Sequence, residues 1–204
     1  MVTNTERHLR ADAARNVERI LRAARAAFTD DGPDVSLEQI ARRAGVGPRT
    51  LYRHFPNKDD LVRAIFDQHV AEHLTPAIER ALDDEDPLHG LTTLIETAMT
   101  IVASEMSTLA AARNTDSLTS DLSATFHEAL TLLARRAQRA RLLRADLVPE
   151  DLPRIMAMVH SVLWSMDPET EGWRRYLGFI LDGLSPAVAT VQPPAAPVVK
   201  RKKP

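Results

Sequence analysis

Val35–Phe66 reads VSLEQIARRAGVGPRTLYRHFPNKDDLVRAIF. Ser36 and, three residues on, Gln39 form a capping box, in which each side chain satisfies a backbone N–H that a helix start leaves orphaned. Val35 and Ile40 occupy the two positions of a hydrophobic staple, which sets how the chain enters this helix. Leu37, Ile40, Ala41 and Ala44 recur at helical spacing and give it one apolar face. Gly45 then ends it in the left-handed conformation, which costs glycine least. Val46 packs into the corner, and Pro48 falls at a first helical position, where its missing N–H is no loss. The second helix, Pro48 to His54, is too short to be stable alone. It turns Leu51 and, just beyond it, Phe55 to the core and leaves Arg49, Thr50, Tyr52, Arg53 and His54 largely free. Pro56 biases Phe55 out of the helical region, and Asn57 with Asp60 caps a third helix.

Two short helices joined by a glycine turn are the layout of a helix-turn-helix, whose second helix lies in the DNA major groove. The free face carries donors that suit DNA: arginine for guanine edges or phosphates, and Thr, Tyr and His for phosphate oxygens. The run Ile40–Val46 (IARRAGV), then Thr50–Phe55 (TLYRHF) and Lys58–Leu61 (KDDL), resembles the DNA-binding domain of the TetR family of transcriptional regulators. Ile20, Ala24, Ala27 and Phe28 ahead of Gly32 fit that family's first helix. The resemblance covers roughly residues 12–66.

By that resemblance Thr50, Tyr52, His54 and Lys58 match positions that touch phosphates, and the helix capped by Ser36 faces one with its N-terminus. Arg49 is the residue expected to read a base, through guanine N7 and O6, with a phosphate contact as the alternative. Arg53 joins the same face. Gly47 and Pro48 stand where relatives often carry Ser, Thr or Lys, which throws weight onto Arg49 and onto DNA shape. Ahead of the first helix, Arg7, Arg10 and Arg15 either reach a minor groove or belong to a loose terminus.

Charge is divided along the chain in the same sense. The net charge is −2, yet residues 1–66 hold 12 Lys/Arg against 9 Asp/Glu and residues 67–199 hold 10 against 19. A basic head on an acidic body fits a nucleic-acid reader, although a solvated mixed-charge surface gives similar counts. With 44% hydrophobic and 26% charged residues the composition is that of an ordinary globular protein. Cysteine is absent, which excludes disulfides, thiolate metal sites and a Cys nucleophile. The N-terminus lacks the apolar core of a secretory signal, and no apolar run approaches the ~18 residues that span a bilayer. We expect a cytoplasmic protein with no membrane partner.

Beyond Asn57 the pattern is helix after helix. One long helix is expected to run toward Leu82, broken by Asp83–Asp86 and Pro87. Leu91, Leu94, Ile95, Ala98, Val102, Met106 and Leu109 follow helical spacing, as do Leu118, Leu122, Phe126, Leu130 and Leu133. Leu152, Ile155, Met156, Val159, Val162, Leu163 and Met166 form a wide stripe. Asp167 is expected to cap a last helix starting at Pro168, with Trp173, Tyr176, Leu177, Ile180, Leu181 and Leu184 on its face and Gly183 and Pro186 closing it. Stripes this wide either complete the domain core or cover a partner. In the TetR family the last two helices pair with their symmetry mates as a four-helix bundle. The resemblance therefore implies a homodimer through Ile155, Val159, Val162, Trp173, Tyr176, Leu177, Ile180 and Leu181. It also implies a small-molecule effector pocket among the middle helices, for which Met99, Met106, Phe126, Met158, His160 and Trp164 are the candidate lining. Val148–Leu152 and Gly172–Leu184 resemble the SbtR-like branch of the family.

His69–Val70–Ala71–Glu72–His73 matches H-x-x-E-H, the inverted zincin pattern, with two imidazoles one helical turn apart. No third ligand is evident, so no metal site is assigned, and a metal-dependent hydrolase stays only as an alternative. G-x-S-x-G, a Walker loop and a dinucleotide fingerprint are absent, which leaves no catalytic residue and no cofactor to name.

These readings combine into an all-α chain: a flexible arm over 1–11, a three-helix helix-turn-helix DNA-binding domain over 12–57, a helical ligand-binding and dimerisation domain over 58–185, and a disordered tail over 186–204. The expected function is a dimeric regulator, a repressor, on a palindromic double-stranded operator, released by a small effector. The alternative is a DNA-binding regulator with no small effector.

Overall fold

Leu51 has no exposed surface although its helix has only seven residues, and the elements that enclose it organise the first half of the chain. The computed structural model describes residues 4–112, 120–166, 170–188, 190 and 192. It divides into two compact units, Met1–His69 with Glu105–Ser120 and Val70–Ser104 with Asp121–Pro204. Every regular element among the described residues is helical.

In the first unit α1 spans Asn4–Asp30, α2 Leu37–Ala44, α3 Pro48–His54, α4 Lys58–His69 and α7 Met106–Ala110. Helix α1 begins well before residue 12, so the segment expected as a flexible arm is helical from Asn4. Its sequence, rich in Ala and Arg and free of Gly and Pro, gives helix no reason to stop. Ile20, Leu21, Ala24, Ala27 and Phe28 form its buried face. Helix α2 starts as its sequence dictates: Gln39 N–H donates to Ser36 Oγ at 3.2 Å and Ser36 N–H to Gln39 Oε1 at 2.8 Å. Both staple residues, Val35 and Ile40, are buried.

Gly45 sits at φ 64°, and the amide of Val46 reaches back to Ala41 O at 3.0 Å, closing α2 with a Schellman turn. Arg19 adds a second closure from α1, its Nη2 donating to Ala44 O and Gly45 O at 2.8 Å each. A guanidinium on the last carbonyls of a helix also meets the negative end of its dipole. Asn57 and Asp60 exchange hydrogen bonds of 2.8 Å at the entry to α4, which buries Leu61, Val62, Ile65 and Phe66. That buried face places α4 with the head, so the first unit runs to His69 rather than ending at residue 57.

In the second unit the expected long helix toward Leu82 is interrupted. A π-helical turn, Val70–Leu74, follows α4 and leads into α5, Thr75–Asp83. Pro76 accounts for it: in a continuous α-helix its ring would meet the Glu72 carbonyl four residues back, and a wider turn relieves the clash. Helix α6 spans Pro87–Ser104, and the apolar period expected to run on to Leu109 breaks there, its last residues falling in α7. Helices α8, Ser120–Arg139, α9, Asp151–Leu163, and α10, Trp173–Gly183, complete the unit. Asp167 and Pro168, the expected start of the last helix, lie outside the described residues, as do Leu118 and almost all of the tail.

Two devices fasten α5 to its neighbours. Arg136 of α8 donates through Nη1 to Leu82 O and through Nη2 to Asp84 O, both at 2.6 Å, collecting the carbonyls at the end of α5. Gly90 lets α6 approach α5 closely, since a Cβ there would lie 2.6 Å from Ala81 O. In an open helix Gly→Ala stabilises by about 1 kcal/mol. At Gly90 the backbone oxygen cannot yield, so Gly90→Ala should instead destabilise by about 1–3 kcal/mol and lower the thermal midpoint. An unchanged or raised midpoint in calorimetry would contradict this close packing.

Candidate nucleic-acid interface

Helix α3 owes its position to α2 and to what lies beneath both. Gly47 caps it without a side chain, Pro48 opens it, Leu51 anchors it and Phe55, 6% exposed, closes it. With that face committed, the opposite one carries Arg49 and Arg53, both exposed and without a partner among the described residues. Arg42 on α2 is likewise exposed, with no partner among the described residues. Its neighbour Arg43 is not available in the same way, because it forms ion pairs with Asp30 and, at 3.2 Å, with Asp31 at the end of α1.

The other expected contacts are partly engaged within the protein. Tyr52 is 41% exposed, and its hydroxyl donates to Glu38 Oε1 of α2 at 2.5 Å. This bond holds the Glu38 carboxyl below its ordinary value, helped by the Glu38 backbone and Ser36, and pushes the Tyr52 phenol above its own. The phenolic proton is therefore already committed, and the anion that takes it stands beside the surface expected to face phosphates. Lys58 Nζ donates to Pro33 O at 2.9 Å, pinning the α1–α2 loop, and Ser36 is occupied by its capping box. Thr50 and His54 are half-buried, and His54 Nε2 is buried with no hydrogen-bond partner. Gly47 and Pro48 are exposed at the mouth of the helix. Of the arm residues, Arg15 is exposed, while the side chains of Arg7 and Arg10 lie outside the described set.

Two participants escaped the sequence reading. Arg19 is one of several arginines along α1, and only its distance to the α2 carbonyls gives it a role. Glu38 sits among first-turn residues where an acid is ordinary for the dipole; the spacing from Glu38 to Tyr52 gives no helical or strand period that could have paired them.

The second-unit candidates separate. Met99 and Phe126, 1% and 8% exposed, are packed in the interior, whereas Met158 and Trp164 are 53% and 50% exposed. His160 stacks edge-on against Trp164 at 6.3 Å, and burial pushes its imidazole below the ordinary value. Met106 is half-buried in the first unit. None of the six lines the open depression of about 360 Å³ on α8, which is walled by His127, Glu128, Thr131, Leu132 and Arg135.

The interface candidates divide too. Ile155, Val159, Trp173 and Leu177 lie inside the protein's own core, Val162, Ile180 and Leu181 are half-buried, and only Tyr176 is exposed. The outward apolar surface of α9 and α10 consists instead of Met158, Trp164, Tyr176 and Phe179. Tyr176 and Phe179 meet edge-to-face at 6.3 Å, and the Arg175 guanidinium lies 4.8 Å from the Phe179 ring.

The H-x-x-E-H match is split between two elements. His69 ends α4 with Nδ1 2.5 Å from Glu105 Oε1, while Glu72 and His73 lie in the π-helical turn, where four-residue spacing is not one turn. Among the described residues no group of three or more His, Cys, Asp or Glu is placed to hold a metal ion, and no helix is long and apolar enough to cross a membrane.

Known proteins match both halves of the chain. The model of the tetR family of bacterial regulatory proteins matches residues 20–65, and that of the C-terminal domain of SbtR-like transcriptional regulators matches residues 86–186. A TetR transcription regulatory protein from Mycobacterium vanbaalenii is 32% identical, with 87% of this chain and 99% of that one covered and a TM-score of 0.56. For a TetR transcriptional regulator from Streptomyces coelicolor the values are 29%, 83%, 98% and 0.59. An uncharacterised HTH-type transcriptional regulator of Mycobacterium tuberculosis (strain CDC 1551 / Oshkosh) is 41% identical over 76 residues, a match that spans 37% of this chain and 39% of that protein. Each of these relatives is named as a transcriptional regulator. With an exposed arginine-bearing α3 set on a buried scaffold, and with a relative matched along nearly its full length, the chain belongs to the TetR family of DNA-binding transcriptional regulators.

Proposed function

We propose that this protein is a cytoplasmic repressor that binds a palindromic operator as a homodimer and leaves it when a small-molecule effector binds. The observation that carries the DNA contact is Arg49, exposed and without a partner among the described residues, on the face of α3 opposite the buried Leu51. Arg49 reads a guanine, Arg53 and Arg42 meet phosphates, and Thr50 and His54 add contacts along the same helix. Ser36 and Lys58 act mainly by holding their loops, with Gly47 and Pro48 fixing the start of α3. Tyr52 offers its ring and an acceptor oxygen rather than its proton. In a two-fold dimer the α3 helices occupy major grooves about one turn (~34–36 Å) apart.

For the dimer, the outward patch of Met158, Trp164, Tyr176 and Phe179 supports pairing through α9 and α10, since aromatic and Met side chains are enriched in interfaces. A second reading, regulation without a small effector, is favoured by one observation: Met99 and Phe126 fill the interior where a ligand was expected, and the depression on α8 is open to solvent.

Selection of bound sites from random DNA, repeated with candidate metabolites, tests the whole reading. Arg49→Ala should cost about 1–3 kcal/mol of discrimination at one base position per half-site. Unchanged base preference in the selected pool would remove Arg49 from base readout. Because the Tyr52 hydroxyl is held by Glu38, Tyr52→Phe should leave operator affinity within about twofold, and Glu38→Gln should tighten binding to random duplex by removing an anion near phosphates. A tenfold loss on Tyr52→Phe in fluorescence anisotropy would restore the hydroxyl as a phosphate donor. Phe179→Glu with Met158→Glu should yield monomers in sedimentation equilibrium and collapse operator binding; a dimer that persists would place the interface elsewhere.

A further inference from the structure

Glu105 is 1% exposed, the most completely enclosed carboxylate among the described residues. Its Oε1 lies 2.9 Å from Arg25 Nε of α1 and 2.5 Å from His69 Nδ1 at the end of α4, while Oε2 has no hydrogen-bond partner. The approach to Arg25 Nε is an ion pair rather than an aligned hydrogen bond, since Nε also counts among the buried atoms without one. Arg25 reaches on to α4 through Nη2, 3.5 Å from Ile65 O. Three segments, α1, the end of α4 and the start of α7, thus converge on one buried carboxylate.

Stability alone is a poor reason for this arrangement, because apolar side chains of similar volume often serve as well or better. Its place in the chain is more telling. His69 is the residue at which the chain leaves the first unit, and Glu105 is the residue at which it returns. Exit and return are therefore tied to each other at 2.5 Å. Helix α7, which Glu105 opens, has five residues and depends on its packing against α1 and α4. Any displacement passed along α6 arrives at Glu105 through the covalent chain, because α6 ends at Ser104.

From there α1 leads to the reading helix. Arg25 and Arg19 are six residues apart on one continuous helix, a rise of about 9 Å. Arg25 is engaged at the carboxylate, and Arg19 holds the Ala44 and Gly45 carbonyls at the turn between α2 and α3. We propose that Glu105 is a positioning residue for DNA binding: through Arg25 and α1 it sets where Arg19 holds the α2–α3 turn, and His69 locks the same carboxylate to α4. This rests on the DNA-binding role and adds the route by which the regulated part of the chain commands it.

The test uses the full chain, the duplex recovered by selection and a random duplex. Glu105→Ala should lower affinity for the selected duplex about tenfold relative to the random one, because the arginines facing DNA are untouched while their placement is not. The Gly45 and Val46 amides, bonded to Arg42 O and Ala41 O, should exchange hydrogen faster in the same variant. Arg25→Ala and Arg19→Gln should reproduce both effects. Glu105→Gln, which keeps an acceptor for His69 but loses the charge that pairs with Arg25, should recover only part of the affinity ratio. A variant set that lowers the thermal midpoint but leaves the ratio and the Gly45–Val46 exchange at wild-type values would reduce the cluster to a structural ion pair and overturn the proposal. Should Glu105→Ala fail to fold, Arg25→Ala, altered at a side chain 36% exposed, decides by the same two readouts. If selection enriches no sequence from the wild-type protein, the DNA-binding role fails by itself, and the exchange measurements still decide whether Glu105 governs the turn.

Discussion

A seven-residue helix cannot hold its own shape in water, and α3 has seven residues. Everything that fixes it must come from outside: the Leu51 side chain seated in the core, the left-handed turn at Gly45, and the Arg19 guanidinium on the carbonyls that turn leaves open. Removing a buried leucine costs about 2–5 kcal/mol, a large part of the 5–15 kcal/mol that holds a typical domain together. Because these supports differ in kind, they fix different things. Leu51 fixes the depth of α3, Gly45 its departure from α2, and Arg19 the relation of both to α1. Together with Phe55 and the Asn57–Asp60 cap, they leave the exposed face free for a function that needs no core contact.

Legibility in the sequence followed the range of the interactions. The α2 cap, the staple, the glycine turn, the Pro48 start and the Asn57 cap all act over three to five residues, and each stands in the structure where the sequence places it. The π-helical turn at Val70–Leu74 was missed although its cause, Pro76, is local; the apolar pattern on both sides fits a continuous helix, so periodicity hid the clash. What spans twenty residues or more left no mark at all. Arg19 with Gly45, Arg136 with Leu82 and Glu105 with Arg25 pair side chains whose sequence neighbours give no hint of a partner.

The helices of the second unit expose a different limit. A stripe of apolar residues says that a face is covered, not by what. On α9, Leu152, Ile155, Val159 and Leu163 cover the inner face, and on α10 Trp173 and Leu177 do the same. The residues left outside, Met158, Trp164, Tyr176 and Phe179, share the apolar character of those inside, so hydrophobicity could not sort the two sets. Rotation about the helix axis sorts them, and that angle is decided by the neighbouring helices.

The composition of the DNA-facing surface explains why its support has to be exact in angle. Gly47 and Pro48 give α3 a start without side-chain donors, and Tyr52 has its proton engaged by Glu38. Under the proposed reading, base choice falls on few side chains, chiefly Arg49, and a bidentate contact with guanine would tolerate little displacement. A surface with many adaptable donors could absorb a tilt of the helix; one with a single rigid fork cannot. Control of such a reader needs no unfolding and no large movement. On the proposed reading, a small shift of the turn that Arg19 holds would carry the fork off its base while phosphate contacts persist, and affinity would fall toward the sequence-independent level that those contacts supply.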